Sequence, residues 1–236
     1  MVLFPRTEET MARPIHADAN ATRRDVLTSA SRLFSERGLG QSSVREIARE
    51  AGVSLGTVHH YYGSKDDLYE ACIDAMYAEL EALRSELKPL FLSGAPSQDV
   101  LERVVKATFR FGRAHHPALR LVMREVLDTG EIRSDRRKRY LMPYLGDGTR
   151  LMQALTGGGL PDDIRWVLQS ISHLVVRYSL TSARELAMVS GLIAEPGESS
   201  VLIEKEAVAR VEAHLVGVSN MLLHAGLPRG DENDRG

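Results

Sequence analysis

Hydroxyls, imidazoles and isolated cations cluster between residues 43 and 65 in an order that suits holding a polyanion rather than breaking a bond. Ser43 and Arg45 open one apolar-patterned stretch and Ser54 opens the next; Gly56, Thr57, His59, His60 and Tyr61 follow, and Lys65 stands just beyond. A serine ahead of a helix caps its free N–H groups, and that end of a helix favours anions, so Ser43, Arg45, Ser54 and Lys65 are expected to hold phosphates. Gly56 has no Cβ and lets its backbone approach a duplex closely. Thr57 offers a hydroxyl to phosphate or base and a methyl to thymine, and Arg45 can also reach a base edge. His59, His60 and Tyr61 are further candidate contacts.

These side chains need two short rods to carry them. Ser43-x-x-Glu46 has capping-box spacing, Ile47, Ala48 and Ala51 form one apolar face, and Gly52 is the stop, which predicts a helix of about two and a half turns. Ser54 then caps a second helix, Leu55 to Tyr62. Two short helices joined by a tight glycine turn form a helix-turn-helix, with Val53 and Val58 plugging the joint, and the second helix is expected to enter a major groove end-on. Upstream, Val26, Leu27, Ala30, Leu33 and Phe34 share a helix face between the Thr22/Asp25 capping spacing and Gly38. Downstream, Ser64-x-x-Asp67 opens a helix with Leu68, Cys72, Ala75, Met76, Leu80, Leu83 and Leu87 at helical spacing before Pro89.

The run from Thr22 to about Glu70 resembles the N-terminal DNA-binding domain of the TetR family of bacterial transcriptional regulators. Leu33-Phe34-Ser35-Glu36-Arg37-Gly38 matches the family's helix ending. Ile47 to Thr57, followed by Tyr61, Tyr62, Ser64, Lys65, Asp66 and Asp67, matches its core signature. His59 departs from the tyrosine that usually touches a phosphate there, and imidazole is expected to donate the hydrogen bond instead. The resemblance implies a second, larger helical domain that binds a small molecule and dimerises. In the family, the penultimate and final long helices of each subunit build a four-helix bundle across a two-fold axis.

Other suggestive residues carry less. Gly52-Val53-Ser54-Leu55-Gly56 spells the nucleophile elbow of α/β-hydrolases, but that elbow needs a preceding strand, and a helix precedes it here. His115 and His116 point about 100° apart on a helix and have no third ligand at a recognised spacing, so no metal is expected. Cys72 falls on an apolar face and reads as a buried, inert thiol. The five basic residues between Arg133 and Arg139 read as a solvated segment.

Charge sharpens the problem of binding a polyanion. Thirty Lys and Arg oppose thirty-two Asp and Glu over 236 residues, a net charge of -2. From Arg23 to Glu70 the balance is seven against seven. Placement must therefore supply the field: Arg45, Lys65 and Arg23 or Arg24 toward DNA, Glu36 and Glu50 turned away. Apolar residues at 43% are enough for a core without staples, and the single cysteine excludes an internal disulfide framework. No apolar run approaches a membrane span and no secretory segment is visible, so the chain reads as soluble and cytoplasmic. Met11 offers an alternative start.

The fold expected is all-α. Residues 1–21 are an N-terminal arm expected to be mobile, 22–70 a three-helix helix-turn-helix domain, 71–228 a larger helical ligand-binding and dimerisation domain, and 229–236 a tail. Helices are expected over Ser97 to Gly112 and from His116-Pro117 to Gly130. Arg136 to Thr156 should form another, kinked or split by Pro143, Gly146 and Gly148, and such breaks leave room for a cavity. Candidate pocket residues are Phe109, Phe111, His115, Met123, Met142, Tyr144 and His173. Two later stripes, Ile164, Leu168, Ile171 and Val175, then Val208, Val211, Leu215, Val218 and Leu222, are read as a dimerisation pair, with filling of the subunit's own core as the alternative.

These readings converge on a ligand-responsive DNA-binding regulator, a repressor. It would bind a near-palindromic double-stranded operator as a homodimer and be released by a small-molecule effector, with no cofactor, no metal and no membrane partner. The alternatives are a helical dimeric interaction module, or a small-molecule-binding enzyme whose helix-turn-helix does not bind DNA. The enzyme reading lacks a convincing nucleophile and base.

Overall fold

The computed structural model describes residues 15–156, 161–192 and 200–225. Regular structure among them is helical throughout, and they divide into two compact units at Cys72 and Ile73.

The first unit contains α1 (Ile15–Gln41), α2 (Val44–Glu50), α3 (Leu55–Tyr62) and the opening turns of α4 (Lys65–Leu87). Helix α1 begins upstream of the expected Thr22. Ala17, Ala19 and Ala21, the strongest helix formers, carry it through part of the segment read as an arm, and the Thr22/Asp25 spacing falls inside the helix. Residues 1–14 and the tail 229–236 lie outside the described residues. Gly38 breaks α1 with φ 80 and ψ 166, a conformation open to glycine. The buried Ser42 hydroxyl then reaches the carbonyls of Gly38 (2.8 Å) and Leu33 (3.2 Å) and seals the end. Val26, Ala30, Leu33 and Phe34 of α1 are buried with Ile47, Ala48, Val58, Leu68 and Cys72. Each large side chain there contributes about 1.5–3 kcal/mol of burial, which locks the short helices that could not persist alone.

The second unit continues α4 through a 3-10 turn at Lys88–Leu92. It adds α5 (Ser97–Ala114), α6 (His116–Thr129), a single turn α7 (Ser134–Arg136), a π-helical turn (Arg137–Leu141), α8 (Met142–Thr156), α9 (Pro161–Leu180), α10 (Ala183–Val189) and α11 (Ser200–Ala225). Helix α9 packs against α5, α8 and α11, and α11 also packs on α5 and α10.

Gly130 ends α6 as expected, at φ 79, but other glycines of this unit lie inside helices. Gly112 sits within α5, which runs on to Ala114, and a Cβ there would meet Ser179 Oγ at 2.4 Å. Gly146 and Gly148 lie inside an unbroken α8, and Pro143 falls in its first turn, directly after the π turn. Helix α10 was not expected; the spacing Ser182-x-x-Glu185 marks it, with the Ser182 hydroxyl accepting from Glu185 N at 3.1 Å.

Most of the two stripes follow the alternative reading and fill the subunit's own core. Ile164, Leu168, Ile171 and Val175 of α9 and Val211 and Leu215 of α11 are buried in the protomer's own core with Leu101, Val105 and Phe109, and Val208 and Leu222 pack against it. Val218 is half-buried. Their repeat marks the faces that α5, α8, α9 and α11 turn toward one another. On α9, α10 and α11 the large apolar residues left exposed are others: Trp166, Met188, Val189, Val201, Leu202 and Met221.

Candidate nucleic-acid interface

Helix α2 starts where the Ser43 side chain accepts from Arg45 N at 3.2 Å. The turn after it uses Gly52 at φ 69, and Val53 N donates to the Ala48 carbonyl at 2.9 Å. Helix α3 begins where Ser54 Oγ accepts from Thr57 N at 3.0 Å, and the Ser54 and Thr57 hydroxyls lie 2.8 Å apart. Val58, 1% exposed, pins α3 to the core. Tyr62 adds a second anchor by donating to the Arg23 carbonyl at 3.0 Å, and burial pushes its phenol up to about 12.

This anchoring leaves one surface outward. Ser43, Arg45, Ser54, Gly56, His59 and His60 are exposed, and Thr57, Tyr61 and Lys65 are half-exposed. The Arg23 guanidinium lies over the Tyr61 ring, 4.9 Å from its centroid, so Arg23 is fixed beside α3. Lys65 Nζ donates to the Ser42 carbonyl at 3.3 Å and keeps two further N–H groups for a ligand. Gly56 has an ordinary helical backbone, and a Cβ there would find only Ser54 Oγ, at 3.6 Å. Nothing in the fold therefore requires glycine at this position; close approach of an outside backbone would.

His59 behaves differently from expectation. Its Nδ1 lies 2.7 Å from the Gly63 carbonyl, which can only accept, so Nδ1 carries the proton. In the neutral ring Nε2 is then an acceptor, and only the imidazolium could donate to a phosphate.

Part of the charge of this domain is taken up in internal pairs. Arg32 binds Glu36 at 2.8 Å and also Glu50, tying α1 to α2, and Arg37 holds Glu46 at 3.1 Å. Asp67 accepts from the Ser64 hydroxyl (2.6 Å) and N–H (3.1 Å), which holds its carboxyl below the usual range and caps α4. Arg45, by contrast, makes no ion pair among the described residues.

In the second unit a cavity of about 410 Å³ is walled by α4, α5, α6, α8 and α9. Of the sequence candidates, Phe111, Met123, Tyr144 and His173 line it. Phe109 does not, being fully buried in the core. His115 stacks on Phe111 and hydrogen-bonds its carbonyl, and Met142 is exposed. Arg84, Thr108 and Gln169 in the wall escaped the sequence reading, although Thr108 shares a helix face with Val104 and Val105.

The remaining motifs are occupied structurally. His116 reaches the Leu180 carbonyl at 3.3 Å, and no group of metal-ligating side chains occurs among the described residues. Arg136, 2% exposed, binds Asp74 (2.9 Å) and Glu125 (3.4 Å), Arg133 pairs with Asp135 and Arg137 with Glu131, and the Arg139 guanidinium lies over the Tyr140 ring, so most of the basic run is engaged within the protein. No described helix is long and apolar enough to cross a membrane.

Residues 26–72 match the family described as bacterial regulatory proteins, tetR family. The transcriptional repressor KstR2 of Rhodococcus jostii (strain RHA1) is 31% identical over 104 residues, 44% of this chain and 50% of that protein. The regulator AcrR of Shigella flexneri is 31% identical over 100 residues, 42% of this chain and 46% of that protein. The chain thus spans about half the length of these two relatives. The fold of a TetR-like regulator from Rhodococcus sp. RHA1 aligns with a TM-score of 0.57 at 20% identity, covering 85% of this chain and 96% of that one.

Proposed function

Because this chain belongs to the TetR family of bacterial transcriptional regulators, we propose that it is a repressor, released from a near-palindromic operator when a small molecule enters its C-terminal unit. The observation that carries this reading is the surface of α3: capped by Ser54, anchored by Val58 and Tyr62, and outward-facing at Gly56, His59 and His60. Ser43, Arg45, Ser54 and Lys65 hold phosphates, while Gly56, Thr57, His59, His60 and Tyr61 meet the major groove.

Few cations serve each protomer, so tight binding needs two, on half-sites about 10 base pairs or a multiple apart. The homodimer forms through the exposed apolar residues of α9 and α11, Trp166, Leu202 and Met221, rather than the buried stripes. Helix α4 carries Lys65 in its first turn and Met76, Tyr77, Leu80 and Arg84 in the cavity wall. An effector that shifts this helix changes operator affinity; a coupling of about 1–3 kcal/mol corresponds to 5–150-fold. The protein acts in the cytoplasm, on DNA near its own gene.

Footprinting of the purified protein on its own upstream region at two salt concentrations tests this. A discrete protected site whose affinity falls linearly on log-log axes with salt is the expected result. Protection without a boundary would return the chain to the interaction-module reading.

A further inference from the structure

The cavity wall carries charge only in matched pairs. Arg84 binds both Glu81 and Asp147 at 2.6 Å, and Asp147 also holds Arg150. Glu131, itself mostly exposed, pairs with Arg137 at 3.0 Å. The remainder of the wall is dominated by aliphatic and thioether side chains such as Leu80, Leu101, Val104, Met123 and Val126. A carboxylate or phosphate entering would lose its hydration and find no guanidinium or ammonium without an acid already on it; the one imidazole in the wall, His173, lies at its exposed edge against Gln169.

One polar group in this wall is under-used. Thr108 gives its proton to the Val104 carbonyl at 2.8 Å, so the Tyr144 hydroxyl is left with a long contact to Thr108 Oγ1, at 3.4 Å. Burial raises the Tyr144 phenol, so it stays protonated as a donor. A carbonyl or ether oxygen inside the cavity would give it a shorter bond than the protein does.

The geometry points to an uncharged, largely apolar effector whose single hydrogen-bond-accepting oxygen is received by Tyr144, and not to an organic anion. This rests on the reading of the cavity as the effector site.

Methyl decanoate, decanoate and decanoyl-coenzyme A share one chain and separate the chemistries. Titrated calorimetrically into the full-length protein at neutral pH, the ester is expected to bind at least about tenfold more tightly than either anion. Tyr144→Phe should weaken the ester about three- to tenfold, the range of one hydrogen bond, with the unliganded melting temperature unchanged. Equal or tighter binding of decanoate or decanoyl-coenzyme A overturns the inference, as does an ester that does not bind or one indifferent to Tyr144→Phe. The operator footprint is read separately: an ester that binds and respects Tyr144 but leaves the footprint intact supports the ligand class and counts against the effector role alone.

Discussion

Gly148 of α8 lies so close to Leu168 of α9 that a Cβ on the glycine would come within 2.7 Å of the leucine Cδ2. Both residues also line the cavity, and Leu168 is 6% exposed. The leucine methyls can retreat only into that cavity, so Gly148→Ala should strain the α8–α9 crossing, narrow the cavity and destabilise the fold by about 1 kcal/mol. Urea unfolding monitored by circular dichroism measures this; an unchanged midpoint would mean that the α8–α9 crossing is looser than the structure describes.

Gly56 is the opposite case. Its backbone is helical and the space around a new Cβ is open apart from Ser54 Oγ at 3.6 Å. Gly56→Ala should hold or raise stability, by up to about 1 kcal/mol, because alanine favours helix. The same change should weaken operator binding severalfold or more by obstructing the approach to DNA, and Gly56→Val should abolish it. Fluorescence anisotropy on labelled operator, beside a melting curve, separates the two effects. Full affinity in Gly56→Val would remove this end of α3 from the groove.

Cys72 is 1% exposed, and burial pushes its thiol up to about 12 from an ordinary 9.0, against a small opposing bond from Ser31. The native thiol should therefore resist iodoacetamide at pH 8 and react rapidly in denaturant, as read by mass spectrometry. The linkage has a definite sign. A raised folded value means that the folded state keeps its proton longer, so this contribution to stability is complete below about 9 and is lost as pH rises toward 12. A Cys72→Ala variant should show a flatter profile across that window.

Trp166 is 75% exposed on α9, away from the buried Ile164 and Leu168. If this face pairs protomers, Trp166→Glu should shift the protein from dimer to monomer in sedimentation velocity and leave each protomer folded. Operator affinity should fall with it, since each half-site is then bound alone. A variant that remains dimeric would place the interface elsewhere.

The first unit was legible because local signals agreed there. Ser43, Ser54 and Ser64 each stand at a helix start, Gly52 takes the turn, and the apolar spacing selects Ile47, Ala48 and Val58 for the core. Periodicity was less informative in the second unit, because a heptad-like stripe looks the same whether it faces the protomer's own core or a partner. Ile171 and Leu215 went inward since α5, α8, α9 and α11 surround one another. Glycine was ambiguous for a similar reason: Gly38 breaks a helix, whereas Gly112 and Gly148 let helices cross closely, and only the neighbour decides. The cavity needed tertiary structure as well, because Phe109 and Phe111 sit two residues apart, one in the core and one in the wall.

Trp166 is the chain's single tryptophan, and it lies outside the cavity wall. Where that face pairs protomers, its indole makes the molecule its own optical gauge of association. If Trp166 lies between protomers, emission should shift to the blue as concentration drives them together, and a ligand held in the cavity should alter it only through a change in that pairing.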